Sequence, residues 1–150
     1  AARADGRAPG PDQLAAFFTA HYPAPGIDER VCLARSTDAG RAFALHPANP
    51  LLLPAPGTRK FGDPKVWWHP PSASWCMVNI AGWPDQGHVV FARSPDLLHW
   101  TVSSEFHAPD LAPGVWECPD LVTLPLDAPD GAPTGETIDL LKLNLWHVPS

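Results

Sequence analysis

The sequence predicts an all-β fold, part of a β-propeller with about two to three blades of four antiparallel strands each. The 150 residues include 20 prolines and 11 glycines, too many for a helical protein because proline removes a backbone donor and interrupts regular elements. Seven tryptophans argue against disorder, since disordered chains contain few large aromatic residues. A five-residue motif beginning at Ala34 recurs at Ala92, and such repetition is expected of successive blades.

Short apolar runs separated by turn residues predict where the strands lie. Runs of about four to seven residues with breaks rich in Pro, Gly, Asn or Ser are typical of strands in an all-β chain. Residues 1–13 are expected to form a disordered lead-in or a loop, and residues 14–150 the propeller segment. Ile138–Trp146 fits either a strand or a helix, and we favour a strand. The other predicted strands are Leu14–Thr19, Arg30–Ser36, Lys65–His69, Trp75–Ile80, Val89–Ser94 and Leu121–Leu124.

The repeated motif contains a Ser-x-Asp element. Ala34–Asp38 reads Ala-Arg-Ser-Thr-Asp and Ala92–Asp96 reads Ala-Arg-Ser-Pro-Asp, each directly after an apolar strand. Ser and Asp side chains bind nearby backbone N–H groups and so stabilise tight turns. We therefore expect each copy to close a turn between the outer strands of a blade, which is a structural role.

Composition excludes several classes of function. The net charge is −6 with a pI of about 5.5, and without a cluster of Lys and Arg a nucleic-acid partner is not expected. No window approaches the ~18 apolar residues of a membrane span, so no membrane partner is expected either. The three cysteines lack Cys-x-x-Cys spacing, and the seven histidines are scattered without ligand spacing. Neither a disulfide framework nor a metal or cofactor is therefore predicted.

Two acidic residues are candidates for chemistry. Asp63 and Glu117 each stand just before a candidate innermost strand, at Lys65–Trp68 and Leu121–Leu124. Innermost strands of neighbouring blades line one channel, so the two carboxylates are expected to converge. Paired carboxylates carry out glycoside hydrolysis, one as proton donor and the other facing the positive charge that develops on the sugar. The alternative is that Asp63 caps a turn and Glu117 is a solvated loop acid.

Two motifs resemble those of family 32 glycoside hydrolases, the invertases, exo-inulinases and levanases. Phe61–His69 resembles the family's Arg-Asp-Pro region, and Trp116–Leu121 matches its Glu-Cys motif. The likeness runs from about Leu14 to Leu126 and implies a five-bladed propeller of which this chain is a part. Further stretches in the same register are Ala16–Ala20, Leu33–Phe43, Asn49–Leu52 and Phe91–Trp100.

The resemblance implies a role for each site residue. Glu117 corresponds to the general acid/base of a retaining mechanism, and Asp63 to the carboxylate that stabilises the transition state through fructosyl hydroxyls. Cys118 is implied to adjust the proton affinity of the acid, and a poorly solvated pocket walled by Trp116 and this thiol is a physical way to raise it. Cys118 fits equally well as a small core residue.

The sequence departs from the family pattern in two places. Gly62 stands where the family has Arg, which removes a rigid fork of donors from the substrate-binding site. The family's nucleophile lies in an N-terminal Asn-Asp-Pro-Asn-Gly motif, and nothing in residues 1–13 matches it. A retaining glycosidase needs that nucleophile, so we expect little or no activity from this chain alone.

Trp67 and Trp68 are the remaining candidates for substrate binding. Strand alternation sends adjacent side chains to opposite faces. This alternation offers one tryptophan for stacking on a sugar and the other for the space between blades, and the alternative is that both pack between blades.

The predicted function is a segment of an enzyme that releases β-D-fructofuranosyl units from sucrose, inulin or levan. The substrate is then the partner, and the resemblance favours an extracellular location for the parent enzyme. One alternative is a non-catalytic or vestigial propeller piece that binds fructan, which Gly62 favours. The other is a sialidase-like propeller, because Ser36–Phe43 fits the Asp-box turn of that fold.

Overall fold

The computed structural model describes residues 13–21, 29–56, 58–82, 87–108 and 114–146. The predicted lead-in, apart from Gln13, lies outside these ranges. The described part contains nine β-strands and a single-turn 3-10 helix at Pro70–Ser72, and none of its segments is a helix able to cross a membrane. The strands are β1 (Leu14–His21), β2 (Glu29–Ser36), β3 (Ala44–Leu45), β4 (Phe61–His69), β5 (Ser74–Ala81), β6 (His88–Ser94), β7 (Thr101–His107), β8 (Val115–Asp127) and β9 (Pro133–Trp146).

The strands form three antiparallel sheets in chain order. The first sheet is β1-β2-β3, the second β4-β5-β6-β7 and the third β8-β9. Each strand pairs with the next one along the chain within its sheet, as expected of blades built from consecutive hairpins. The all-β prediction is confirmed, and the favoured strand at Ile138–Trp146 is part of β9.

The second sheet has an apolar face against each of its neighbours. Alternation along β5 sends Met77 toward the first sheet and Val78 toward the third. Each face contributes to a separate core cluster, so the second sheet is the packed centre of the described structure. The first cluster comprises Val31, Phe61, Met77, Ala81, Val90 and Ala92, and the second comprises Val78, Ile80, Val89 and Trp116.

A β-bulge in β4 reverses the side-chain alternation of that strand. The register shifts between Gly62 and Lys65, so two residues of β4 stand opposite one residue of β5. Phe61 and Val66 are five positions apart and would face opposite sides of a regular strand, yet both contact the first core cluster. The bulge therefore lets β4 keep an apolar face on the first sheet at both of its ends.

Both Ser-x-Asp elements form the predicted turns. In the first, Ser36 Oγ donates to Asp38 Oδ1 at 2.7 Å, and that oxygen accepts the backbone N–H groups three and four residues on. In the second, Ser94 Oγ donates to Asp96 Oδ1 at 3.2 Å, and that oxygen accepts the N–H groups two and three residues on, each at 2.9 Å. The turns follow β2 and β6, the strands that precede the outermost strand of their sheets.

Several strand assignments from the sequence were incomplete, and β9 begins at Pro133 rather than at Ile138. β3 and β7 were not predicted, because their residues are exposed and leave no clear apolar run. β4 begins at Phe61 rather than at Lys65, and β8 at Val115 rather than at Leu121. In both cases a proline inside the strand looked like a boundary, whereas it occupies a bulge where no ladder hydrogen bond is needed.

Removing the carboxylate of Asp96 should destabilise the fold. Asp96→Ala deletes the acceptor of two backbone N–H groups and of the Ser94 hydroxyl, and we expect the free energy of unfolding to fall by about 1–3 kcal/mol in urea titrations. Asp130→Ala is the matched control, since Asp130 Oδ1 accepts one backbone N–H in the exposed β8–β9 turn. An equal loss in the two variants would contradict the structural role of the repeated turn.

The contribution of Asp96 should disappear in acid. Partial burial raises the pKa of Asp96, but the backbone N–H and ring of His99 and the N–H of Leu98 lower it more, so the pKa lies well below 3.8. A lowered folded-state pKa means that the stabilisation is present above the unfolded value and is lost as pH falls through the folded one. Urea unfolding from about pH 5 downward should therefore show a steeper loss for the wild type than for Asp96→Ala.

Candidate active site

Two matching bulges form the centre of the candidate site. The bulge of β8 lies between Glu117 and Asp120, and it repeats the pattern of a residue with positive φ followed by proline that β4 shows. Asp63 has φ 54° and Cys118 has φ 48°. Such φ values are uncommon outside glycine, and bulges often re-aim side chains beside active sites. The sequence placed Asp63 and Glu117 ahead of strands, but the structure places both inside strands, at the bulges.

Asp63 connects three strands. Its backbone N–H donates to Thr19 Oγ1 of β1 at 2.7 Å. Its carboxylate Oδ2 accepts the backbone N–H of Cys118 in β8 at 2.9 Å. Because Cys118 directly follows Glu117, this bond holds the carboxylate of one sheet beside the acid-bearing bulge of the next. The structure thus brings together the two bulges that carry the predicted acids.

A second contact between the same bulges comes from Lys65. Its ammonium Nζ forms an ion pair with Asp120 and donates to the carbonyl oxygen of Leu121 at 2.8 Å. Lys65 and Asp120 are the first paired residues after the bulges in β4 and β8. The second and third sheets are therefore joined on the far side of each bulge as well as at Asp63.

Lys60 is a member of the site that the sequence did not reveal. Its Nζ lies 3.3 Å from Glu29 Oε1 and 3.5 Å from Glu117 Oε1, and its side chain is 17% exposed. Glu29 also accepts the backbone N–H of Phe61, at 2.8 Å through Oε2. No motif marks Lys60 or Glu29, and they meet only because β2 and β4 belong to adjacent sheets.

The carboxylates around Lys60 stabilise its protonated, charged form. Burial lowers the pKa of the Lys60 ammonium, but the charge and hydrogen bond of Glu29 and the charges of Asp63 and Glu117 raise it more, so the pKa lies above 10.5. Lys60 therefore supplies a permanent positive charge beside Glu117.

Packing of Thr19 against position 62 leaves room only for glycine. A Cβ atom at this position would lie 2.4 Å from Thr19 Oγ1 and 2.6 Å from its Cγ2, far inside van der Waals contact. Thr19 thus occupies the space in which any side chain at position 62 would begin. Where the family has Arg, this chain has Gly, and Thr19 of β1 packs against β4 in the space that a side chain would take.

Trp116 and Cys118 lie on either side of Glu117 in very different surroundings. Trp116 is buried and packs in the second core cluster. A Cβ at Gly87 would lie 2.5 Å from its Cδ1, so the residue just before β6 lies against the indole. Cys118 is an exposed thiol, and its alternative as a core residue is therefore wrong. Its influence on the proton affinity of Glu117 stays a prediction.

Trp67 and Trp68 lie farther along β4. Trp67 packs on the second core cluster, whereas Trp68 pairs edge-to-face with Trp75 at 5.3 Å between ring centroids. They follow Asp63 by four and five positions, which is about 13–17 Å of strand. The prediction that one of them contacts a sugar is not tested by these positions and stays a prediction.

A cleft of about 240 Å³ lies between the second and third sheets. Its lining includes Trp67, His69 and Phe91 from the second sheet and Leu121 and Thr123 from the third. Neither Asp63 nor Glu117 lines it. The cleft is therefore separate from the two bulges.

A family match agrees with this arrangement. The family model for the Glycosyl hydrolases family 32 N-terminal domain matches residues 6–148. The chain belongs to glycosyl hydrolase family 32. It is 41% identical to the levanase of Bacillus subtilis (strain 168) over 96 residues, 63% of this chain and 13% of the levanase. It is 30% identical to the invertase of Schizosaccharomyces pombe over 148 residues, 91% of this chain and 24% of the invertase.

Solved structures of the family share the fold. The chain superposes on an exo-inulinase from Aspergillus awamori with a TM-score of 0.72 and 28% identity, covering 91% of this chain and 28% of that one. For a β-fructofuranosidase from Bombyx mori in complex with sucrose, the TM-score is 0.65 with 30% identity, over 89% of this chain and 27% of that one. These matches confirm the predicted partial propeller.

Family membership also decides against the sialidase-like interpretation of the repeated turns. The sialidase-like prediction relied on Ser36–Phe43, but the chain belongs to family 32 and this segment forms a hydrogen-bonded turn. The turn is a structural element that does not identify the substrate. The chain spans about a quarter or less of the curated relatives named above.

The contact between Gly62 and Thr19 can be tested by a double-mutant cycle. Gly62→Ala should lower the free energy of unfolding by about 1–3 kcal/mol, because the new methyl group overlaps the Thr19 side chain. In a Thr19→Ala background the same substitution should cost less, since the two nearest colliding atoms, Oγ1 and Cγ2, are gone. Chemical denaturation measures both costs. Equal costs in the two backgrounds would contradict the contact.

Lys60 should account for part of the pH dependence of fold stability at alkaline pH. Since its folded-state pKa is raised, its stabilising contribution is complete below 10.5 and is lost as pH rises through the folded value. Urea unfolding above about pH 10 should show a steeper decline for the wild type than for Lys60→Met. Lys142→Met, at an exposed position of β9, is the control and should keep the wild-type slope. Identical slopes for the wild type and Lys60→Met would contradict this role.

Proposed function

We propose that this chain supplies two of the three carboxylates of a retaining β-fructofuranosidase, with Glu117 as general acid/base and Asp63 as transition-state stabiliser. The observation that carries the proposal is the 2.9 Å hydrogen bond from the Cys118 N–H to the Asp63 carboxylate. It holds the two acid-bearing bulges of adjacent blades together. Two carboxylates at one position of a propeller channel suit cleavage of a glycosidic bond.

Asp63 is suited to accept hydrogen bonds from sugar hydroxyls. Its Oδ2 accepts the Cys118 N–H, and its backbone is bound to Thr19, so the side chain is positioned before substrate arrives. We assign Oδ1 to the hydroxyl groups of the fructosyl ring. As positive charge develops on the ring, these hydrogen bonds and the negative charge of Asp63 strengthen, which lowers the barrier.

Glu117 is suited to transfer a proton. Its side chain is 31% exposed and therefore accessible to a leaving group. As a carboxylic acid it donates its proton to the glycosidic oxygen, and as a carboxylate it later takes a proton from the attacking water. The Lys60 ammonium lies 3.5 Å from Glu117 Oε1, so a cation stands beside the negative charge that Glu117 carries after proton donation.

The third carboxylate is the nucleophile. In a retaining enzyme it lies about 5 Å from the acid and forms a covalent glycosyl intermediate. The family motif for this residue has no match in residues 1–13, and residues 1–12 lie outside the described structure. We therefore propose that the chain alone has little turnover and that a nucleophile-bearing strand completes the site.

The proposed substrates are sucrose and fructans. The relatives include proteins named levanase, invertase and exo-inulinase, and a structural neighbour is a complex with sucrose. These substrates share a terminal β-D-fructofuranosyl unit, which is the part that the two carboxylates would contact. The preferred linkage depends on residues that surround the rest of the substrate.

Fructose release tests the catalytic part of the proposal. The 150-residue chain is incubated with sucrose, inulin or levan, and free fructose is measured. We expect the wild type and Glu117→Gln to give the same background rate, because the acid cannot act without the nucleophile. Turnover by the wild type that Glu117→Gln abolishes would contradict the incomplete site while supporting Glu117 as the acid.

Binding separates the carboxylate site from a purely structural one. In calorimetric titration with sucrose and levan oligosaccharides, Asp63→Asn should weaken binding by about tenfold or more, since a charge-assisted hydrogen bond to the sugar is worth over 1 kcal/mol. Asp130→Asn removes the same charge from the β8–β9 turn and should leave binding unchanged. No binding by the wild type, or equal binding by Asp63→Asn, would contradict the proposed site.

A second candidate, fructan binding without catalysis, is favoured by Gly62. Thr19 fills the space of a side chain at this position, so the candidate site lacks one of the family's substrate donors. Under this alternative, binding survives Glu117→Gln and weakens in Trp68→Ala. If Glu117→Gln loses binding while Trp68→Ala keeps it, this alternative is excluded.

A further inference from the structure

Three side chains with metal-binding groups meet at one end of the β6–β7 hairpin. One ligand atom each from His88, Glu105 and His107 lies within 4.8 Å of the other two. His107 Nε2 is 3.0 Å from Glu105 Oε2, and the His88 and His107 rings stack with centroids 4.5 Å apart and an interplanar angle of 21°. No other group of this kind occurs in the described residues.

Strand geometry explains how these residues converge. His88 of β6 is the direct cross-strand partner of His107 in β7. Glu105 precedes His107 by two residues, so alternation places it on the same face. The sequence showed no sign of this set, because Glu105 is 17 positions from His88 and no ligand spacing appears. The expectation that the histidines have no ligand arrangement came from linear spacing alone.

We propose that His88, Glu105 and His107 form a binding site for a divalent transition metal ion, with Zn²⁺ as the reference ion. Two imidazole nitrogens and one carboxylate oxygen are a donor set that suits Zn²⁺, and also Cu²⁺ and Ni²⁺. Mg²⁺ and Ca²⁺ prefer sets made of oxygen, so they bind weakly here. Three protein ligands leave one tetrahedral position for water.

The metal would fasten an edge strand. β7 is the outermost strand of the second sheet, and all of its residues are exposed. A metal held by both β6 and β7 joins their ends by bonds stronger than the ladder alone, and binding to the folded state raises its stability by mass action.

The same strand ends contact Trp116 on the opposite face. Phe106 lies between two of the ligands, and its ring centroid is 6.3 Å from that of Trp116. Gly87 precedes His88 and lies directly against the indole. Metal binding should therefore also change the environment of the tryptophan that precedes Glu117. The site itself is independent of the proposed glycosidase function.

Calorimetric titration of Zn²⁺ into the 150-residue chain near neutral pH, with any purification tag removed, tests the proposal. We expect one ion per chain, a rise in the melting temperature with Zn²⁺, and little response to Mg²⁺. His107→Gln, His88→Gln and Glu105→Gln should each weaken binding by about tenfold or more. A stoichiometry near zero, or affinity unchanged in all three variants, would overturn the site.

His99→Gln is the matched control. His99 Nδ1 lies 2.6 Å from Asp96 Oδ2, and among the residues that the structure describes this pair of potential ligands has no third member. This variant should bind Zn²⁺ as the wild type does, and an equal loss would indicate non-specific binding to histidines and overturn the proposal. If a ligand variant fails to fold, imidazole NMR signals of the wild type decide instead. Zn²⁺ should shift those of His88 and His107 but not those of His99, and the reverse pattern would overturn the site.

Discussion

The hydrogen bond from the Cys118 N–H to the Asp63 carboxylate is the contact on which the candidate site depends. It crosses between two sheets and joins two bulges of the same construction, each with a left-handed residue followed by proline. A bulge leaves backbone groups outside the ladder, and this bond satisfies one of them with a side chain of the neighbouring sheet. The same irregularity that interrupts each sheet therefore provides the connection between them.

The charges around this bond are balanced by lysines from β4 and the residue before it. Lys65 pairs with Asp120 beyond the bulges, and Lys60 lies between Glu29 and Glu117 before them. Carboxylates close together repel each other, and a cation among them offsets that repulsion. Gly62 belongs to the same arrangement, because Thr19 occupies its side-chain space while binding the Asp63 backbone.

The rest of the fold is stabilised by two kinds of contact, some within short segments and others between strands or sheets. The repeated Ser-x-Asp turns are closed by neighbours within four residues, so they need no partner from another sheet. The core clusters depend on contacts between sheets, and the bulges adjust the facing of side chains so that both ends of β4 meet the first sheet. The histidine and glutamate set at the β6–β7 end depends on strand pairing alone.

The sequence by itself determined the all-β class, most of the strands, the repeated turns and the two acidic motifs, because proline content, alternation and turn chemistry are local properties. It misplaced Asp63 and Glu117 relative to their strands, since a proline in a bulge has the same local pattern as a proline at a boundary. The exposed strand β7, the Lys60 contacts, the fit of Gly62 against Thr19 and the convergence of His88 with His107 were decided only by the tertiary structure. Each of these depends on which residues of distant segments become neighbours, and that is set by register and sheet packing rather than by spacing along the chain.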